Sequence, residues 1–164
     1  MKKTFVAALL GIFALVLSSG AFAEEKATPQ EVVAKVKEAA KLISEKGEAA
    51  YPLIRDPKGS FVWKDNYIFA QNLDGTMIVH INPKLEGKNM LGVKDADGKL
   101  FSNEMINGVK ASPDGFWIEY KWAKPGEKDA SKKVAFCVLA PKTEIFVGAG
   151  VWDMGLDDIK KAGL

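Results

Sequence analysis

The sequence is poor in the residues on which most metal and redox sites depend, since its 164 residues include one cysteine and one histidine. A single cysteine cannot form an internal disulfide, a C-x-x-C zinc site or a Cys-ligated cluster, because each needs at least two thiols from the same chain. The C-x-x-C-H motif of haem attachment is also absent. The sequence therefore predicts no cofactor and no metal site.

An excess of charge of one sign is missing as well, because 23 Lys and Arg residues are balanced by 21 Asp and Glu residues. Nucleic-acid-binding domains usually have a strongly basic composition or patch, so no nucleic-acid partner is expected. Apolar residues make up 48% of the chain and charged residues 27%. That balance is typical of an ordinary globular protein rather than a disordered one.

Motifs for nucleophilic catalysis and phosphate binding are also absent. No serine lies in a G-x-S-x-G elbow, and neither G-x-x-x-x-G-K-[ST] nor G-x-G-x-x-G occurs. Cys137 lies in an apolar run, where burial would raise its pKa and lower its reactivity. Asp95, Asp97 and Glu104 have part of the spacing of a calcium loop, but Val93 takes its first position and offers no side-chain ligand. We therefore expect a protein that is not an enzyme, with no catalytic residues.

The N-terminus has the organisation of a secretory signal peptide. Lys2 and Lys3 precede an apolar run over residues 5–17, and residues 21–23 have the A-x-A form of a signal peptidase site. The run of about 13 apolar residues is shorter than the roughly 20 that a membrane-spanning helix needs. We therefore expect cleavage after Ala23 and a mature periplasmic protein with no net charge.

Residues 28–47 have the pattern of an amphipathic helix with both ends marked. Thr28 can cap the N-terminus, Pro29 suits the first helical position, and Glu31 completes a T-x-x-E capping box. Gly47 is a stop signal, and apolar residues recur at helical spacing between the two ends. The pattern predicts a helix that packs one face on the core.

The segments that follow have the composition of β-strands. Residues 67–72 and 76–81 flank Asp74-Gly75, and an Asp-Gly turn between two β-prone runs is a strong hairpin signal. Three more strands are expected at residues 116–122, 133–140 and 145–152. Helix, hairpin, connection and three strands together predict an α+β domain with a five-stranded antiparallel sheet.

The connection between the hairpin and the third strand, residues 82–112, is long for a compact domain and contains a segment that can form a helix at residues 102–110. It could cover the sheet face opposite the first helix. A small cavity under this cover would have polar candidates at His80, Asn82, Lys88, Tyr120 and Lys133. The alternative is a fully packed core with polar residues only at its edges.

A series of short motifs occurs in a fixed order between residues 51 and 153. They are FVWKDNYIF at 61–69, LDGT at 73–76, VH at 79–80, NPKLEGKN at 82–89, KDADGK at 94–99, WIEYKW at 117–122, KKVAF at 132–136 and VGAGVW at 147–152. In order and spacing they resemble the single Cache domain, the PAS-like extracytoplasmic sensor module of bacterial chemoreceptors and sensor kinases. The resemblance implies a PAS-like fold in which the long N-terminal helix packs on the sheet and the helical connection covers its other face.

The resemblance also implies a small-ligand pocket between the sheet and its cover, for short carboxylates or amino-acid-like metabolites. Lys133 would pair with a carboxylate, and Tyr120 and His80 would donate hydrogen bonds. Trp117 and Phe136 would form the walls, and Tyr67 completes the expected set of ligand-binding residues. The departures from the family pattern are Phe136 and Trp152, where relatives often have tyrosine.

The expected organisation is a signal peptide at residues 1–23, an N-terminal helix within 24–50, the Cache domain at 51–155 and a C-terminal tail at 156–164. We expect no output module after the last strand, so the bound state would pass to a membrane-bound sensor kinase, chemoreceptor or transporter. One alternative is a structural or interaction protein that has the fold without a ligand. Another is an enzyme acting on a small acid, with His80 as base and Lys133 as electrostatic stabiliser.

Overall fold

The structure is a computed structural model that describes residues 25–164, so the expected signal peptide and its cleavage site lie outside the described residues. The helices are α1 (Pro29–Lys46), α2 (Tyr51–Arg55), α3 (Phe101–Ala111) and α4 (Leu156–Lys161), with 3-10 turns at Gly47–Ala50 and Pro83–Leu85. The strands are β1 (Val62–Trp63), β2 (Asn66–Tyr67), β3 (Phe69–Asn72), β4 (Met77–Val79), β5 (Phe116–Ala123), β6 (Ala130–Leu139) and β7 (Ile145–Trp152).

Helix α1 begins and ends where its capping residues predict. The Thr28 hydroxyl accepts a hydrogen bond from the Glu31 backbone N–H at 3.2 Å, and the Glu31 carboxylate accepts one from the Thr28 N–H at 2.8 Å. Pro29 is the first helical residue, and Gly47 follows the last one with a positive φ of 57°. The capping box satisfies two backbone N–H groups that would otherwise lack partners at this helix end. The predicted helix is confirmed.

The main sheet has five antiparallel strands in the order β4-β3-β7-β6-β5. Strands β5, β6 and β7 follow one another as a meander, whereas β3 comes from much earlier in the chain and pairs with β7. The predicted α+β class and five-stranded sheet are confirmed. This topology places β3, the first strand of the predicted hairpin, beside the last strand β7, so residues far apart in the sequence meet on the same face.

The predicted hairpin forms, but its strands are shorter than the sequence indicates. Gly75 adopts a φ of 92°, which favours glycine, and the Asn72 N–H donates to the Thr76 carbonyl at 2.9 Å. Before this hairpin, β1 and β2 form a separate two-stranded sheet that the sequence pattern does not predict. The predicted strand at residues 67–72 is thus interrupted between β2 and β3. The Asn66 side chain explains this interruption, because its Nδ2 donates to the Gly150 carbonyl at 2.7 Å while its Oδ1 accepts from the Tyr67 N–H.

Two apolar cores lie on opposite faces of the main sheet. The face that packs against α1, here called the α1 face, buries Val134, Phe136, Val138, Val147, Ala149 and Val151. The other, the α3 face, buries Tyr120, Ala135, Cys137, Phe146 and Trp152 beneath α3 and the segment that precedes it. The connection at residues 82–112 therefore covers the second face of the sheet, and α3 extends over 101–111 rather than 102–110.

Candidate functional site

Lys133 is a fully buried lysine in the middle of the α3 face. It lies on β6, directly opposite Tyr120 of β5 and Trp152 of β7 in the strand register. Its Nζ lies 4.3 Å from the ring centroid of Trp152, 4.6 Å from that of Tyr67 and 5.5 Å from that of Phe69. Nζ has no hydrogen-bond partner within residues 25–164. Buried polar atoms are normally paired, so this amine marks a candidate site for a ligand.

Two glycines of β7 make room for this arrangement. A Cβ at Gly150 would lie 2.8 Å from Cε of Lys133 and 2.6 Å from the carbonyl oxygen of Val134. A Cβ at Gly148 would overlap the ring of Phe69. Both contacts are shorter than ordinary van der Waals separations. The glycines therefore let the lysine stem and the phenyl ring approach the backbone of the central strand.

His80 lies just beyond β4 and is held in one orientation by the backbone. Its Nδ1 accepts a hydrogen bond from the Asn82 N–H at 2.9 Å, and its Nε2 lies 3.3 Å from the Tyr67 hydroxyl. Because Nδ1 acts as an acceptor, the neutral ring carries its proton on Nε2 and donates to Tyr67. The His80 N–H in turn donates to Glu86, which forms an ion pair with Arg55 of α2 at 2.9 Å.

Burial dominates the electrostatics of this cluster. Desolvation lowers the pKa of Lys133 to about 7, although Cys137 and Asp65 act in the opposite direction. Desolvation and the charge of Lys133 lower the pKa of His80 to about 3. Burial raises the pKa of both Tyr67 and Tyr120. At neutral pH the site therefore offers phenol and imidazole groups in their neutral forms, and a His80 of such low basicity is poorly suited to act as a general base.

A cavity of about 10 Å³, here called the inner cavity, lies between the α3 face and its cover. It is lined by Tyr67, Phe69, Gln71, Met77, His80, Met90, Phe101, Met105, Tyr120 and Trp122. Such a volume holds about one water molecule. Lys133 is separated from the cavity by one layer, since its Nζ contacts the rings of Tyr67 and Phe69 that line it.

A second volume of about 320 Å³, here called the outer groove, opens to solvent beside the inner cavity. The two volumes share Tyr67, His80 and Trp122 as lining residues. These three side chains therefore form a partition between the inner cavity and the outer groove. A further groove of about 460 Å³ between α1 and the end of β6 is lined by Lys37, Lys41 and neighbouring residues, and none of its lining residues is a buried polar side chain.

The structure brings together four of the six predicted ligand-binding residues, Tyr67, His80, Tyr120 and Lys133. Trp117 and Phe136 belong to the α1 face, where their rings pack against each other at 5.2 Å, so they form no wall of the inner cavity. The reason is strand alternation, because Trp117 and Phe136 each lie three positions from Tyr120 and Lys133 respectively.

Of the other polar candidates, Asn82 contributes a backbone N–H to His80, whereas its side chain caps the following turn. Lys88 is exposed and lines neither the inner cavity nor the outer groove. The expected site is therefore reduced to Tyr67, Tyr120 and Lys133 on the strands and His80 directly after β4.

Several cavity residues are missing from the sequence-based prediction. Phe69 and Gln71 alternate with Tyr67 and could have been placed by the period of the strand, as could Trp122 beside Tyr120. Phe101 and Met105 are one helical turn apart on α3, which puts them on one face. The side chain of Gln71 donates to Ser102, so a buried hydrogen bond joins β3 of the sheet to α3 of its cover.

A PAS-like sheet with a small covered cavity is the architecture of a class of sensor modules. The chain belongs to the Cache domain family, whose pattern matches residues 27–162 and so includes α1 and α4. Cache domains are extracytoplasmic ligand-sensing modules of chemoreceptors and sensor kinases, and as a family they are not catalytic.

Two curated relatives match over 97 residues, or 58% of this chain. One is the sensor histidine kinase MctS of Rhizobium johnstonii, at 37% identity, and the other is the methyl-accepting chemotaxis protein McpP of Pseudomonas putida, at 30% identity. The chain matches only 20% and 17% of the length of these two proteins. This chain therefore resembles one part of each of these two longer proteins.

Solved structures show the same fold. A Cache chemosensory domain described for carboxylic acid recognition is 29% identical, with a TM-score of 0.62, and the match covers 76% of this chain and 88% of that one. A methyl-accepting chemotaxis protein from Vibrio parahaemolyticus matches at 24% identity with a TM-score of 0.63, over 79% of this chain and 89% of that one. The periplasmic sensor domain of a chemotaxis protein also matches at 24%, with a TM-score of 0.60 over 74% and 88%.

Two features are absent from residues 25–164. No helix in this range is both long and apolar enough to cross a membrane. No group of three or more His, Cys, Asp or Glu side chains in the same range could hold a metal ion.

Proposed function

We propose that this protein is a periplasmic sensor that binds a short monocarboxylate through Lys133. The observation that carries the proposal is the Lys133 amine, which is fully buried and has no hydrogen-bond partner within the described residues. A carboxylate would supply the missing acceptor and the opposite charge, and a charge-assisted hydrogen bond is about twice as strong as a neutral one. The carboxylic acid recognition described for a Cache relative at 29% identity supports the same ligand class.

The charges around the inner cavity favour a ligand with one negative charge. None of the described lining residues is acidic, and Lys133 is the one buried lysine or arginine among the described residues. The ammonium group of an amino acid would enter this site without a carboxylate to pair with, and burying an unpaired charge is costly. The second carboxylate of a diacid would meet the same difficulty. We therefore favour monocarboxylates over both of these classes.

The apolar lining suits a short hydrocarbon tail. Met77, Met90 and Met105 line the inner cavity together with Phe101, and methionine side chains adapt easily to an irregular guest. The ligand-free cavity of about 10 Å³ is too small for any organic acid. Binding would therefore move the lining side chains outward, and this movement would distinguish the bound from the free state.

The hydroxyl groups of Tyr67 and Tyr120 are the proposed hydrogen-bond donors to the carboxylate. The pKa of each is raised by burial, so both keep their protons at neutral pH. His80 already directs its Nε2 proton towards the Tyr67 oxygen, which leaves the phenol proton of Tyr67 free to donate elsewhere. In this proposal His80 orients Tyr67 and does not contact the ligand.

Export through a cleaved signal peptide would place the site in the periplasm, where the ligand is met before it enters the cell. The bound state would then pass to a membrane-bound sensor kinase, chemoreceptor or transporter. The sensor kinase and chemotaxis relatives support such a partner. Mass spectrometry of the exported protein tests the first step, with an N-terminus at Glu24 expected.

Calorimetry with acetate, propionate, butyrate, succinate and alanine tests the ligand class directly. We expect binding of one or more of the three monocarboxylates, and at least tenfold weaker binding of succinate and alanine. Lys133→Met should weaken monocarboxylate binding about tenfold to hundredfold, as expected for loss of a charged hydrogen bond. Lys132→Met is the matched control, because Lys132 is an exposed neighbour that pairs with Glu119 at 3.2 Å.

Unchanged monocarboxylate binding by Lys133→Met would refute the assignment of this site. Tyr120→Phe removes a single hydroxyl and should weaken binding about tenfold without unfolding the protein. Equal binding of alanine and propionate by the wild-type protein would refute the charge argument.

A structural or interaction protein without a ligand is the second candidate, and the closed state of the inner cavity favours it. Trp122 fills part of the space beneath the cover, and only about 10 Å³ is left. This candidate predicts that no small acid raises the melting temperature of the protein. It also predicts that Lys133→Met leaves association with protein partners intact.

A further inference from the structure

The surroundings of the Lys133 amine stabilise its charged form poorly in the ligand-free site. The amine is held among the rings of Tyr67, Phe69 and Trp152, with Nζ 4.3 to 5.5 Å from their centroids. Ring faces attract a cation, but they cannot accept a hydrogen bond as an oxygen does. In the ligand-free site the ammonium form of Lys133 therefore has little to replace the water that it loses.

The titratable groups that face Lys133 offer weak compensation for its charge. Cys137 of the same strand and Asp65 of the β1–β2 turn favour the charged amine, but less than burial disfavours it. Tyr67 of β2, Tyr120 of β5 and His80, which follows β4, are neutral at pH 7. Burial raises the pKa of both tyrosines, and burial together with Lys133 lowers the pKa of His80. The pKa of Lys133 itself falls to about 7 as a result.

We propose that the site binds a carboxylate and a proton together, with the proton taken up by Nζ of Lys133 as the acid enters. This inference rests on the proposed function, since it concerns the same ligand at the same residue. The arriving carboxylate supplies both a negative charge and an acceptor, and these stabilise the ammonium form. The amine of the free site is neutral above pH 7, so one proton moves from solvent to Nζ for each acid bound, and no other bond changes.

The affinity of the site then depends on the pH of its surroundings. Below pH 7 the amine already carries its proton, and binding should be insensitive to pH. Above pH 7 the apparent Kd should rise about tenfold per pH unit, because each unit makes the required proton ten times scarcer. A periplasmic sensor of this kind would respond to a weak acid more strongly in acidic than in alkaline surroundings.

Calorimetry of propionate binding in two buffers of different ionisation enthalpy measures the protons taken up. We expect close to one proton per propionate at pH 8.5 and close to none at pH 5.5. Lys132→Met, in which an exposed lysine is removed, should behave like the wild-type protein. Binding of propionate at pH 8.5 with no proton uptake, and a Kd that stays constant from pH 6 to pH 9, would overturn the proposal.

A ligand-free measurement keeps the proposal testable if Lys133→Met binds no acid. The unfolded chain holds the lysine proton up to a pH of about 10.4, whereas the folded protein releases it near pH 7. Wild-type stability towards urea should therefore rise between these two pH values relative to Lys133→Met, by up to tenfold in the unfolding constant per pH unit. Below pH 7 the difference between the two proteins should be constant.

The two measurements separate the possible failures. Propionate binding with a flat stability difference would refute proton uptake alone and leave the proposed function standing. A clear stability difference, with no monocarboxylate bound between pH 5.5 and pH 9, would refute the proposed function and with it the coupling.

Discussion

On β6, Val134, Phe136 and Val138 face α1, whereas Lys133, Ala135 and Cys137 face α3. Both faces are thus built from alternate residues of one strand, but they differ in chemistry. The α1 face is closed by the apolar side of a long capped helix, over a cluster of aliphatic and aromatic side chains. The α3 face holds Lys133 and His80, and a chain of turns and a shorter helix covers it.

The difference indicates that the α1 face contributes mainly to stability, whereas the α3 face carries the candidate binding site. The α1 face joins α1 to the central strand with close-packed aliphatic side chains, which resist rearrangement. The α3 face combines flexible methionines, glycines and an amine without a partner. In the proposed sensor, the α3 face would change on binding and the α1 face would not.

The largest expected effect is the loss of packing on the α1 face alone. Ile43 is 1% exposed on α1, and Ile43→Ala should reduce the free energy of unfolding by about 3 kcal/mol through lost burial and a cavity. Propionate affinity of the folded protein should stay within about twofold of the wild-type value. Urea unfolding and calorimetry measure the two quantities. The control is Leu53→Ala at an exposed position of α2, with a change of less than about 0.5 kcal/mol.

A large loss of propionate affinity in Ile43→Ala would show that the two faces are strongly coupled. It would contradict the separate roles of the α1 face in stability and the α3 face in binding.

A second substitution should affect both stability and binding. Gly150→Ala would place a Cβ 2.6 Å from the Val134 carbonyl and 2.8 Å from Cε of Lys133, so the strand or the lysine must move. We expect a loss of about 1–3 kcal/mol in unfolding free energy, and weaker propionate binding because Lys133 is displaced. Gly92→Ala is the control, since a Cβ there meets nothing within 4 Å. If Gly150→Ala had the unfolding free energy and the propionate affinity of the wild-type protein, the close contact of Gly150 with Lys133 would contribute to neither.

Two tryptophans of β5 offer a matched test of the faces. Trp122 forms part of the partition on the α3 face, whereas Trp117 packs on the α1 face. Trp122→Leu should shift the preference towards longer acids, with butyrate gaining about tenfold over acetate, a change of the size associated with one methylene group. Trp117→Leu should leave the order of affinities unchanged. The same shift in both variants would point to a general loosening of the sheet.

The smallest expected effect concerns the protonation of His80. Burial and Lys133 lower its pKa to about 3, so its imidazole nitrogens should show no titration by NMR between pH 5 and pH 8. The unfolded chain binds this proton near pH 6.5, so His80 contributes a loss of stability as the pH falls from about 6.5 towards 3. A titration with a midpoint near 6.5 would show that the α3 face is open to water in the ligand-free protein.

Much of the fold could be predicted because its signals are local. The capping box of Thr28 and Glu31 and the Asp-Gly turn each act within a few residues of the chain, and both are present as predicted. The interruption before β3 could not be predicted in this way. It depends on the Asn66 side chain bonding to Gly150, which is 84 residues away in the sequence.

The candidate site was predicted less completely than the fold. Strand alternation alone separates Trp117 from Tyr120, yet the family resemblance suggested that both faced one pocket, and the structure places Trp117 on the α1 face. Met90 and Met105 carry no signal in the sequence that marks them as cavity residues. Their positions depend on how residues 82–112 pack on the sheet, and this packing is between residues far apart in the sequence.

The sequence by itself determined which residues could be buried and which elements they form. Period-2 alternation and capping depend only on backbone geometry and near neighbours. Tertiary structure alone decided that Lys133 has no partner, because this depends on three rings from β2, β3 and β7 that surround it and exclude every acceptor among the described residues. Burial, and not the lysine itself, is what lowers the pKa of this basic side chain and distinguishes it from the exposed lysines of the chain.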